Sequence, residues 1–165
     1  MSTDPQRGAM NIPGQKRSLE PDDCGLTAGR FAEAIRDGDM AAAWNVLSKE
    51  SRGVRLGVWA TQNKIDLQVV YRAAYDSNHP LFAPMMEGFR AAVLKHWPLE
   101  DLGDLGVAPT SYVDDVHAFV FLPIGVGRDQ QVQEQRTVKP GLVIPMLFED
   151  GEWRVDMPGW RFFWK

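Results

Sequence analysis

The stretch VIPMLFEDGEWRVDMP, residues 143–158, decides the predicted fold. Asp150-Gly151 lies between its two apolar runs, and this dipeptide is typical of a two-residue β-hairpin turn. The turn sets a register that brings six large apolar side chains to one face: Phe148 opposite Trp153, Met146 opposite Val155, and Ile144 opposite Met157. A sheet that is apolar on one face needs a helical cover, so the hairpin predicts an α+β protein.

Two short helices are predicted where the ordered part of the chain begins. In LTAGRFAEAIRDGD, residues 26–39, Thr27 is the expected N-cap, and Gly38 suits the left-handed position that ends a helix. Asp39 then caps a second helix, in which apolar residues such as Trp44 recur at helical spacing. We expect these two helices to form a helical hairpin.

Two further helices are predicted before the chain reaches its strands. TQNKIDLQVVYRAAYD, residues 61–76, has helical spacing, with Thr61 as the expected N-cap. PMMEGFRAAVLKHW, residues 84–97, has Pro84 in its first turn, where the missing N–H costs little. Between these segments and the first pair, VRLGVWA at 54–60 fits neither a helix nor a strand well, because glycine weakens both.

The second half of the chain has the two-residue period of β-strands. The side chains of YVDDVHAFVFLPIGV, residues 112–126, fall into two sets: Val116, Ala118, Val120 and Leu122 on one face, and His117, Phe119 and Phe121 on the other. QVQEQRTV at 131–138 is more polar and predicts a partly exposed strand. Together with the hairpin, these segments predict a sheet formed by consecutive antiparallel strands.

The composition argues against several classes of protein. A formal net charge of −4 over 165 residues argues against a nucleic-acid partner. No apolar stretch approaches the roughly 20 residues that a membrane-spanning helix needs. Residues 1–24 are rich in proline, glycine and charge, which predicts a disordered leader before a single domain at 25–165. This leader has no apolar signal-peptide core, so a cytoplasmic location is expected.

The pattern of ligating residues predicts no metal site and no cofactor. Cys24 is the only cysteine, which rules out an internal disulfide, and its acidic neighbours disfavour a reactive thiolate. The three histidines, His79, His96 and His117, are dispersed without a metal-ligand spacing.

Two segments carry a resemblance to a known superfamily. FAEAIRDGDMAAAWNVLS at 31–48 and the closing strand DGEWRVD at 150–156 resemble the nuclear-transport-factor-two-like superfamily, over roughly residues 26–158. That superfamily includes ketosteroid isomerases, SnoaL-type cyclases and limonene epoxide hydrolases. The resemblance implies a curved antiparallel sheet wrapped around N-terminal helices, a cystatin-like cone that binds ligands at its open end and often forms a homodimer. The isomerase and epoxide-hydrolase catalytic sets cannot be placed on this chain.

Asp115 and His117 are the candidate catalytic residues. They are two apart on a predicted strand and project from one face, where a carboxylate can raise the basicity of an imidazole. Phe119 and Phe121 continue that face and would form the apolar walls of a pocket. If the face points outward instead, Asp115 and His117 are polar residues at the entry of a strand.

Aromatic residues supply the other candidate ligand contacts. Tyr71 and Tyr75 are four apart on a helix, where their hydroxyls can orient a ligand or simply reach the surface above packed rings. Trp59 and Trp153 complete the predicted ligand-binding set. The tail PGWRFFWK at 158–165 could clamp a partner, lie on a membrane surface or stack on nucleotide bases, of which nucleic acid fits the charge balance least. The alternative, which we favour, is a strand extension that plugs the apolar face of the sheet or a dimer seam.

These features leave two functions from different classes. The first is a non-catalytic binding or oligomerisation module, whose cone binds an apolar small molecule or is filled by its own side chains. The second is a SnoaL-like isomerase, cyclase or hydrolase that uses Asp115 and His117 for proton transfer on an apolar small molecule, with Tyr71 or Tyr75 orienting the substrate. The absence of an assignable acid–base set favours the binding module.

Overall fold

The structure is a computed structural model that describes residues 22–97, 99, 110–123 and 141–157. Within those ranges it is an α+β protein with five helices and a curved, four-stranded antiparallel sheet that does not close into a barrel. None of the described helices is both long and apolar enough to cross a membrane. The polar strand predicted at 131–138, the aromatic tail and most of the predicted leader lie outside the described residues.

The predicted helical hairpin is formed by α1, Asp23–Asp37, and α2, Met40–Asn45. The Asp22 carboxylate caps α1 by accepting a hydrogen bond from the backbone N–H of Gly25 at 2.8 Å. Gly38 ends the helix with a φ of 80°, a left-handed conformation that glycine adopts without steric cost. Asp39 caps α2, as the sequence predicts.

The start of α1 differs from the prediction. Thr27 is not the N-cap, because Asp22 takes that role and the hydroxyl of Thr27 donates to the Asp23 carbonyl inside the helix. Cys24 consequently lies in the buried first turn of α1 and not in a polar leader. Burial, with a smaller contribution from the charge of Asp22, raises the pKa of its thiol to about 12.

Three more helices follow: α3, Lys49–Asn63; α4, Leu67–Ala74; and α5, Phe82–His96. The ambiguous segment 54–60 belongs to α3 and is therefore helical. Thr61 does not cap the next helix, since it lies inside α3 and donates its hydroxyl to a carbonyl one turn earlier, while Asp66 caps α4. Pro84 lies in the first turn of α5, as predicted.

The sheet consists of β1, Thr110–Tyr112; β2, His117–Pro123; β3, Gly141–Glu149; and β4, Glu152–Val155, in that spatial order. The hairpin register predicted from the sequence is confirmed for two of its three pairs: Met146 with Val155 and Phe148 with Trp153. Asp150 and Gly151 form the turn with φ angles of 52° and 82°. Positive φ at both positions is what a type I′ hairpin turn requires.

One face of the sheet is buried against α1, and the other face is largely exposed. Phe31 and Ile35 of α1 are fully buried in the resulting core. The buried sheet residues alternate as the strand period predicts: Ala118, Val120, Leu122, Leu142, Ile144, Met146 and Val155. Burying each large apolar side chain contributes about 1.5–3 kcal/mol, so this layer holds the helices on the sheet.

Residues 46–48, between α2 and α3, pair with β4 and cover part of its edge. The Ser48 N–H donates to the Val155 carbonyl at 2.9 Å, and the Val155 N–H donates to the Val46 carbonyl at 2.8 Å. The buried hydroxyls of Ser48 and Ser51 add a link to Asp156, whose Oδ1 lies 2.7 Å from Ser48 Oγ. We call this contact the serine junction, and it fixes the N-terminus of α3 against the end of β4.

Candidate ligand-binding groove

A cavity of about 590 Å³ opens between α3 and α5, and we call it the α3–α5 groove. Its floor is apolar and buried, and it is formed by Trp44, Leu47, Met85, Phe89 and Met157. The serine junction positions Met157, because the Ser51 hydroxyl accepts a 2.6 Å hydrogen bond from the Met157 N–H. The volume falls within the range of pockets that hold small organic ligands, roughly 300–1,000 Å³.

Gly88 of α5 helps to keep the groove open. It lines the cavity without a side chain, opposite Trp59 of α3. A Cβ atom at position 88 would meet Trp59 Nε1 at 3.8 Å, which is an ordinary van der Waals contact. A larger side chain at this position would therefore extend into the space of the groove.

The rim of the groove is more polar than its floor. Arg55, Gln62, Asn63 and Lys95 all line it. The Arg55 guanidinium lies 5.5 Å from the centroid of the Phe89 ring, a distance suited to a cation–π contact. Burial lowers the pKa of Arg55, yet an arginine normally titrates so far above neutral pH that the side chain stays charged. The groove thus combines an apolar floor with a cationic edge.

Trp44 brings a buried hydrogen-bond donor to the same region. The residue is 2% exposed, and its ring packs edge-on against Phe89 with the centroids 5.8 Å apart. Its indole Nε1 has no hydrogen-bond partner among the described residues. An unsatisfied buried donor costs about 1–3 kcal/mol.

Of the residues predicted from the sequence to bind ligand, Trp59 lines the groove. Tyr71 and Tyr75 lie on the exposed side of α4, where their rings contact each other at a centroid distance of 5.0 Å. The Arg52 guanidinium lies 6.0 Å from the Tyr75 ring. A ligand role for the two tyrosines stays a prediction, and neither lines the groove.

His117 and Asp115 are not brought together as a catalytic pair. His117 begins β2 on the exposed sheet face, and its Nδ1 lies 2.9 Å from the carboxylate of Asp114, not from that of Asp115. Hydrogen bonds from the Val116 N–H and from His117 lower the pKa of Asp114. Asp115 is exposed in the bend before the strand. The alternation of β2 puts His117 on the side away from the helices, which is the outward arrangement that the sequence left open.

The other predicted aromatic residues lie on the sheet. Phe119 and Phe121 share the outer face with His117, where Phe119 is 45% exposed. Trp153 lies near the start of α1, with its ring centroid 5.6 Å from that of Tyr112 and 5.3 Å from that of Phe148. Burial and a hydrogen bond to Asp22, the cap of α1, raise the pKa of Tyr112. This cluster ties the sheet to α1.

Sequence reasoning missed most of the groove. Trp44, Met85 and Phe89 have the helical spacing of core residues, and that spacing is the same for a core face and for a pocket floor. Arg55 gave a weak signal, since it is a cation within the largely apolar segment 54–60. Gly88 gave another, since it interrupts a strongly helical run.

Comparisons with known proteins do not identify the chain. No protein-family model matches it, and no match was found among the curated proteins or the solved structures. Within residues 22–97, 99, 110–123 and 141–157, no three His, Cys, Asp or Glu side chains converge in a way that could hold a metal ion.

Proposed function

We propose that this protein is a non-catalytic binding module of the nuclear-transport-factor-two-like type, whose α3–α5 groove takes an apolar small molecule. The observation that carries the proposal is the buried aromatic and methionine floor, rimmed by a few polar groups. Pockets of this composition are typical of ligand sites, where apolar walls supply affinity and a few polar groups supply orientation.

The chemistry of the lining favours binding over acid–base catalysis. The described residues that line the groove include no aspartate, glutamate or histidine. The acid–base alternative relied on Asp115 and His117, which are exposed at the start of β2, and His117 faces away from the helices. A general acid or base must come within hydrogen-bond reach of its substrate, so an apolar ligand in the groove would not meet either residue.

Homodimerisation is the second part of the proposed module. The outer sheet face carries Phe119 and Val143, which are 45% and 54% exposed, beside Phe121 and Pro145. Large apolar side chains grouped on one exposed face are typical of protein interaction surfaces. A second copy of the chain, as the family resemblance implies, is the partner proposed for this face.

The groove can be tested with a neutral fluorescent probe, N-phenyl-1-naphthylamine, whose emission rises on transfer to an apolar site. With about 17 non-hydrogen atoms at roughly 0.3 kcal/mol each, its binding free energy should be about 5 kcal/mol, which is a Kd of about 0.2 mM. Gly88→Leu should weaken binding at least tenfold, because the leucine side chain occupies the groove.

Gly53→Leu is the matched control. Gly53 is an exposed glycine of α3 outside the groove lining, with no atom within 4 Å of an added Cβ. This variant should bind the probe like the parent chain. Equal probe affinity in the parent, Gly88→Leu and Gly53→Leu proteins would remove the groove as the binding site.

A further inference from the structure

The charged side chains of the groove share one sign. Arg55 and Lys95 are the charged residues among the described lining, and both are cations. The chain as a whole is acidic, with a formal net charge of −4, so the two cations in the described lining have the opposite sign to the net charge of the molecule. A cleft lined by one sign of charge with low-dielectric walls raises the local concentration of the opposite charge.

The two cationic side chains of the groove favour a ligand that accepts hydrogen bonds. The Arg55 guanidinium and the Lys95 ammonium can only donate. One of the two N–H groups of the Asn63 amide donates to the Trp59 carbonyl at 2.9 Å. A ligand that presents two or more acceptor oxygens would match this set.

We propose that the α3–α5 groove is selective for organic anions, in which a carboxylate on an apolar body meets Arg55 and Lys95. This inference rests on the proposed binding function and names its ligand class. The planar guanidinium can hold a carboxylate through two parallel hydrogen bonds, and the ammonium adds a second charge. The body of the ligand would lie on the Met85 and Phe89 floor.

The chain's own aromatic tail fits the groove less well by charge. Residues 158–165 follow Met157, which lines the groove, and their aromatic side chains would suit its floor. Arg161 and Lys165 give this tail two cations, and like charges repel in a partly desolvated site. Electrostatics therefore favours a separate anionic ligand.

The test displaces N-phenyl-1-naphthylamine from the full chain with two matched probes, 2-naphthoate and 2-naphthamide. They share an apolar body and differ in charge, so the naphthoate should bind about tenfold more tightly at low salt. High salt should reduce the difference in affinity between the naphthoate and the naphthamide, because screening weakens the charge contribution at the open rim.

Substitutions assign the preference to named side chains. Arg55→Met should lower naphthoate affinity about tenfold and leave naphthamide affinity within about twofold. Lys95→Met, at an exposed position that tolerates change, should lower naphthoate affinity by a smaller factor. Arg30→Met, at an exposed site on α1 outside the groove lining, is the control and should change neither affinity.

The outcomes distinguish failure of the anion preference from failure of the proposed binding function. Equal affinity for naphthoate and naphthamide, with probe binding retained, overturns the anion preference and leaves the apolar groove intact. Loss of naphthoate selectivity in Arg30→Met as well as in Arg55→Met also overturns the assignment. Absence of probe binding to the parent chain overturns both the groove and its selectivity.

Discussion

The serine junction gives a stability prediction whose magnitude can be worked out. The Ser48 hydroxyl is fully buried and contacts three groups. It accepts a hydrogen bond from the Ser51 N–H at 3.1 Å, which caps α3, and it donates to Asp156 Oδ1 at 2.7 Å. Its oxygen also lies 2.8 Å from Ser51 Oγ. Ser48→Ala removes these contacts without adding volume.

Two of these losses, the helix cap and the hydrogen bond to Asp156, have typical magnitudes. Losing an N-cap side chain costs about 1 kcal/mol. Losing a hydrogen bond to a charged group costs about 1.5 kcal/mol or somewhat more, and the half-buried position of Asp156 limits the cost because water can hydrate its carboxylate. The free energy of unfolding should fall by about 2–3 kcal/mol, which for a chain of this size lowers Tm by roughly 4–12 °C.

The assay is urea unfolding followed by circular dichroism. The m-value of the variant should equal that of the parent chain. Ser111→Ala is the matched control, because Ser111 is exposed on β1 and its loss should cost less than about 0.5 kcal/mol. If Ser48→Ala changes the free energy of unfolding no more than the control does, the junction does not stabilise the fold as argued.

Two further predictions concern the buried thiol and the outer sheet face. Burial raises the Cys24 pKa from 9.0 to about 12. The native chain should therefore resist iodoacetamide at pH 8, while the urea-unfolded chain should react. Rapid labelling of the native chain would contradict this burial. The unfolded thiol ionises near pH 9 and the folded one does not, so stability should fall as pH rises from about 9 towards 12, and Cys24→Ala should reduce that slope. In sedimentation velocity, Val143→Lys should shift the protein from dimer towards monomer. Leu67→Lys, at a similarly exposed residue of α4, should not. A parent chain that is monomeric at every concentration would remove the proposed homodimer.

The hairpin was predictable because its determinants are local. Asp150 and Gly151 both adopt positive φ, and few dipeptides do so at low cost. Once the turn is fixed, the period of two dictates which residues pair across it. Helix boundaries were less predictable, since Asp22 and Asp66 outcompete the nearby threonines Thr27 and Thr61 as caps. The choice among neighbouring candidate caps depends on tertiary contacts such as the 2.8 Å hydrogen bond from Thr110 to Asp22.

The groove was not predictable because it is defined by space between helices. The residues of α3 and α5 that line it have the same spacing as core residues, and only the separation of the two helices distinguishes the two environments. Strand alternation did predict that His117 and Phe119 share a face, and the pairing of β2 with β3 agrees with this. It did not predict that α1 would cover the opposite face, because that depends on contacts between distant parts of the chain.

The serine junction also has a consequence for the order of events in folding. Its Ser48–Asp156 hydrogen bond joins residues 108 positions apart in the chain. Because the entropy of closing so long a loop is lost before the contact forms, we expect the serine junction to form late in folding. Ser48→Ala should then leave the folding rate almost unchanged and accelerate unfolding. On that expectation, the contact between residues 46–48 and the end of β4 sets the lifetime of the native state against heat and proteolysis.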